Sequence, residues 1–72
     1  MNQEIREIVT TSVRNHCHAL GLAHIFEAAS VANSLADLAH GKSPACAIGR
    51  GRQVAEKYAA PPYRKQSSQQ GA

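Results

Sequence analysis

LAHIFEAASVANSLADLAH, residues 22–40, carries polar side chains at His24, Glu27, Ser34 and Asp37 among others, at helical spacing. A helix through these residues leaves a wide apolar arc of Leu22, Ile25, Phe26, Ala29, Ala32, Leu35, Ala36 and Ala39. An arc that broad has to be covered on more than one side. Within the same stretch Ala28, Ala32 and Ala36 recur every four residues. Such a strip lets a neighbouring backbone approach closely, because the side chains at a contact set the distance between helix axes.

On the N-terminal side, residues 3–20 place Ile5, Ile8, Val9, Val13, Cys17 and Leu20 at three- and four-residue steps, with charged and hydroxyl residues between them. That is a second amphipathic helix, broken at Gly21. On the C-terminal side Gly41 ends the 22–40 helix, and Ser43-Pro44 has the form of an N-cap followed by proline at the first helical position. The residues beyond conflict: Ile48, Val54, Ala55 and Tyr58 have helical spacing, but Gly49 and Gly51 each cost about 1 kcal/mol relative to Ala. The reading is a turn of helix or loop at 44–48, a flexible joint at 49–51 and a short helix at 52–60 stopped by Pro61-Pro62. Its rival is one helix over 44–60, in which Ala47, Gly51 and Ala55 form another smooth strip. The expected fold is all-α: a helical hairpin plus a short third helix, forming a single domain over 1–62 with a flexible polar tail at 63–72.

Composition bounds the rest. The 72 residues are 43% hydrophobic, but Ala supplies 13 of these residues and Ile, Leu, Val and Phe together another 13. A chain of this size buries only about 60% of its unfolded surface. Self-association is the usual remedy, so a homo-oligomer is expected, joined through Ile25, Ala28, Ala29, Ala32, Leu35, Ala36 and Ala39. No signal-type segment and no long apolar run appears, which points to a cytoplasmic protein without a membrane partner. Cys17 and Cys46 then read as reduced, semi-buried thiols.

Charge divides by position. Residues 1–39 set Arg6 and Arg14 against Glu4, Glu7, Glu27 and Asp37, a net −2; residues 40–72 set Lys42, Arg50, Arg52, Lys57, Arg64 and Lys65 against Glu56 alone, a net +5. The six cations are the candidate nucleic-acid-binding residues, with an acidic protein surface as the other partner class they suit. Ile48-Gly49-Arg50-Gly51-Arg52-Gln53 resembles the Arg-Gly-Arg core of AT-hooks and the similar loop of bacterial nucleoid silencers, with Gln53 where a proline normally follows. The resemblance covers about five residues and implies insertion of an extended basic loop into a narrow minor groove.

Other chemistries find little support. His16, Cys17, His18 and His24 form the densest group of potential ligands, yet on a helix His16 and His18 diverge by about 200°, and no Cys-x-x-Cys or His-x-x-x-His occurs, so no metal or other cofactor is expected. Nor is there a nucleophile elbow, a phosphate loop or a spaced carboxylate pair, so neither enzymatic activity nor a small-molecule substrate is expected. A helix-turn-helix register with Gly41 as the turn glycine fails, because Asp37 would occupy the small apolar position four residues earlier. With only Phe26, Tyr58 and Tyr63, the chain offers no stacking surface for single strands. Two functions remain: a regulatory or accessory oligomer that displays its basic C-terminal segment to nucleic acid, or a small adaptor or inhibitor of phage or mobile-element type that docks an apolar helix face onto a host protein.

Overall fold

The computed structural model describes residues 2–61 and residue 63. Among them are three α-helices and no strand: α1 (Gln3–Ala19), α2 (His24–Ala39) and α3 (Pro44–Ala59). Four of the six helix ends have a local cause. Asn2 caps α1, its side chain accepting the Glu4 N–H at 2.7 Å, and Gly21 and Gly41 close α1 and α2 with φ of 71° and 87°, a conformation that costs a residue with a Cβ. Ser43 caps α3 by accepting the Cys46 N–H at 3.1 Å, with Pro44 next in line.

The third helix corrects the expected joint at 49–51 and follows the rival reading, since Pro44–Ala59 is continuous. Packing explains why Gly51 is tolerated there. Gly51 is buried, and a Cβ on it would lie 2.6 Å from Val13 Cγ2 and closer still to Ser34 Oγ. The glycine therefore lets α3 approach α1 and α2 together, and Ala47 and Ala55, one turn to either side, are fully buried on the same strip. Gly49 points to open space, so its helical cost has no packing counterpart.

The core is a pair of small clusters. Val9, Leu38 and Ala47 form one, flanked by Ile5, Leu35 and Ile48. Val13, Cys17 and Ala55 form the other, flanked by Leu20, Leu22 and Val31. The first half of α1 thus meets the end of α2 and the start of α3, while the second half of α1 meets the start of α2 and the end of α3.

Helix α2 does not present the side that its pattern suggests. Glu27, Ser30, Ser34 and Leu38 face the other helices, whereas Ile25, Ala28, Ala32, Ala36 and Ala39 are exposed and Ala29 and Leu35 are half-buried. Of the apolar arc, α1 and α3 therefore cover Leu22, Phe26 and Leu35 in part and leave Ile25, Ala32, Ala36 and Ala39 uncovered. Serine can line this interior because it is small and its hydroxyl is satisfied: Ser34 Oγ donates to the Ala47 carbonyl at 2.7 Å, and Ser30 Oγ donates back to the Phe26 carbonyl at 2.9 Å.

Candidate polyanion interface

The cations of α3 diverge because the helix is continuous. Arg50 and Arg52 stand about 200° apart around the axis, on opposite sides of buried Gly51. The extended Arg-Gly-Arg loop implied by the AT-hook resemblance is therefore not formed, and the two guanidiniums cannot enter one minor groove side by side. Arg50 turns toward α2, where its Nε lies 3.5 Å from Asp37 Oδ2. At that distance, and with the guanidinium half-exposed to solvent, the pair contributes little to stability.

Two adjoining depressions run between α2 and α3. One is lined by Asp37, Lys42, Cys46, Gly49, Arg50 and Gln53, the other by Asn33, Arg50, Gln53, Val54, Lys57 and Tyr58. They meet at Arg50 and Gln53, so Lys42, Arg50 and Lys57 border one track with Asp37 as its only acidic residue. Arg52 lines neither depression. Arg64 and Lys65 lie outside the described residues, as does the rest of the expected tail except Tyr63.

Sequence reasoning missed an aromatic cluster at the far end of this track. Phe26 and Tyr58 stack with ring centroids 4.6 Å apart and planes inclined by 25°. Tyr63, from the segment read as tail, meets Tyr58 edge-on at 5.0 Å and Phe26 at 5.8 Å. The expectation of no stacking surface rested on there being only these three rings, and the packing of α2 against α3 brings all three together. Tyr58 at a helical step from Val54 and Ala55 was the one available signal, since it places the ring near the α2 contact.

Opposite this track, α1 is tied to its neighbours by ionic contacts. Arg14 Nε donates to Glu27 Oε2 at 3.0 Å, and His18 Nε2 lies 2.8 Å from Glu27 Oε1. The Arg14 hydrogen bond, with further help from His18, holds the Glu27 carboxyl below its ordinary value despite the opposing effect of burial. His16 Nε2 sits 3.1 Å from Glu56 Oε2 on α3. The two histidines thus face different helices. Burial pushes the Cys17 thiol up, the Ser30 hydrogen bond opposes this and the Glu27 charge adds to it; Cys46 is an exposed free thiol. Among the described residues no group of three or more His, Cys, Asp or Glu is placed to hold a metal ion, and no helix is long and apolar enough to cross a membrane.

Compared with protein-family models, with curated proteins and with solved structures, the chain matches none of them.

Proposed function

We propose that this protein is a non-enzymatic regulatory or accessory module in which a helical oligomer presents the α2–α3 track to a polyanionic partner, nucleic acid above all. The observation that carries the reading is the alignment of Lys42, Arg50 and Lys57 along one track with a single acidic residue beside it. Cations so placed contact successive phosphates without reading base identity, and each contact releases counterions. The exposed strip of Ile25, Ala28, Ala32, Ala36 and Ala39 supplies the self-association surface, since a second copy would cover apolar area that the small core leaves in water.

Fluorescence anisotropy with labelled duplex and single-stranded oligonucleotides tests the reading. Binding at about 50 mM salt should weaken steeply as salt rises, and replacing Arg50 and Lys57 together by Gln should lower the slope by about 2. Absence of binding to both forms at that salt would end the polyanion reading. The adaptor reading is favoured by the exposure of Ile25, an anchor-sized side chain at 71%. It predicts a partner protein bound with little dependence on salt.

A further inference from the structure

The aromatic cluster and the polar track adjoin, and Tyr58 belongs to both. We propose that together they form a subsite for single-stranded nucleic acid, an inference that rests on the polyanion reading above and narrows its partner. Three requirements of single-strand recognition meet there. The first is a cationic path: Arg50 and Lys57 lie on the same side of α3, about 10 Å apart along its axis, a span of a few nucleotides. The second is a set of groups able to meet base edges, which Asn33 and Gln53 supply between those cations. Asn33 Nδ2 already donates to the Ala29 carbonyl at 2.8 Å, leaving its oxygen as an acceptor, while the Gln53 side chain has no hydrogen-bond partner among the described residues.

The third requirement is an accessible ring. Tyr63 is 43% exposed and is braced edge-on by Tyr58 and Phe26, so it is held in place while part of its surface meets solvent. A base can stack on such a ring only if it has left its own helix, whereas duplex bases offer only their edges. The shape of the site agrees. A depression between two helices admits a thin extended strand, while duplex recognition in the major groove uses a protruding helix or ribbon.

The chain contains two tyrosines and no tryptophan, and both tyrosines lie in the cluster, so intrinsic tyrosine emission reports directly on the subsite. The experiment titrates the full-length protein with a mixed-sequence single-stranded oligonucleotide, its duplex and a polyglutamate peptide, following anisotropy and tyrosine emission together. The expected result is tighter binding of the single strand than of the duplex, with quenching of emission by the single strand alone. Tyr63→Ala should weaken single-strand binding roughly tenfold and leave duplex affinity and the salt slope unchanged. Tyr63→Phe should restore the binding, because stacking uses the ring and not the hydroxyl. A thermal melt of each variant checks that the fold is retained, and the emission readout on the wild-type protein needs no variant at all. Equal binding of single strand and duplex with unchanged emission overturns the subsite while leaving the polyanion reading intact. Polyglutamate binding as tightly as the single strand also overturns the subsite, since it would make the track a charge acceptor only. No binding of either nucleic acid overturns both.

Discussion

The two sides of α2 have exchanged their usual roles. Its inward side carries Glu27, Ser30 and Ser34 with Leu38 as its one buried apolar residue, and its outward side carries Ile25, Ala28, Ala32 and Ala36. The inward side works because each polar group has a partner: Arg14 and His18 for Glu27, the Phe26 carbonyl for Ser30, and the Ala47 carbonyl for Ser34. The small side chain of Ser34 also admits Gly51, which a leucine at residue 34 would keep away. The outward side gains nothing from its apolar character within one chain. The difference teaches that a hydrophobic arc marks a surface to be covered but does not say by what, whereas small, self-satisfied polar residues can serve as interior.

The largest effect should come from charging the outward side. In the proposed oligomer, Ala32→Glu buries an unpaired carboxylate at the contact and should cost about 3–5 kcal/mol of association. Because Ala32 is exposed in the single chain, the variant should remain helical as a monomer. Light scattering together with circular dichroism checks both halves of this outcome, and a wild-type monomer at micromolar concentration would remove the self-association surface.

Next comes the close approach on the inward side. Gly51→Ala has to displace Val13 and Ser34, both fully buried, and should destabilise the fold by about 1–3 kcal/mol in urea melts despite the better helix propensity of Ala. Ser34→Ala removes one of the colliding atoms, so the double variant should lose less than the sum of the two single losses.

The ionic tie at Glu27 should appear as acid sensitivity. Its native pKa is lowered, so the unfolded chain takes up the proton first. The stability it confers is complete above the ordinary value of 4.5 and disappears as pH falls through the lowered native value. Urea midpoints should therefore fall between about pH 6 and pH 3 in the wild type, and fall less in Glu27→Gln, which has no proton to gain there.

The smallest change is expected at Gly49, which faces open space on the same helix as Gly51. Gly49→Ala should stabilise by up to about 1 kcal/mol, seen as a modest rise in melting temperature. Opposite signs at residues 49 and 51 would show that packing, not composition, decides what each glycine does.

Helix existence was legible because it depends on near neighbours. Three- and four-residue spacing marked α1 and α2, Gly21 and Gly41 marked their ends, and Ser43-Pro44 marked the start of α3. The same local reasoning failed at Gly49 and Gly51, where intrinsic cost argued for a joint and the contact with Val13 and Ser34 argued for a helix. It also marked the whole apolar arc of α2 for cover on more than one side, and could not say that Ile25, Ala32, Ala36 and Ala39 find none within the chain, because periodicity identifies sides of a helix but not the surfaces that meet them. Of the candidate site, the cations were visible as a run of charge. Their division was not, since only a continuous α3 sends Arg50 toward Asp37 and turns Arg52 away. The sequence by itself determined two helices, the breaks at Gly21 and Gly41, the start of a third helix at Ser43-Pro44 and the cationic C-terminal half, all set by interactions within a few residues. Which side of α2 is interior, why a glycine sits at the crossing and how Phe26 comes to stack on Tyr58 were decided by tertiary structure alone. Each depends on residues more than a dozen positions apart, whose meeting is set by close packing among the three helices and not by any local preference.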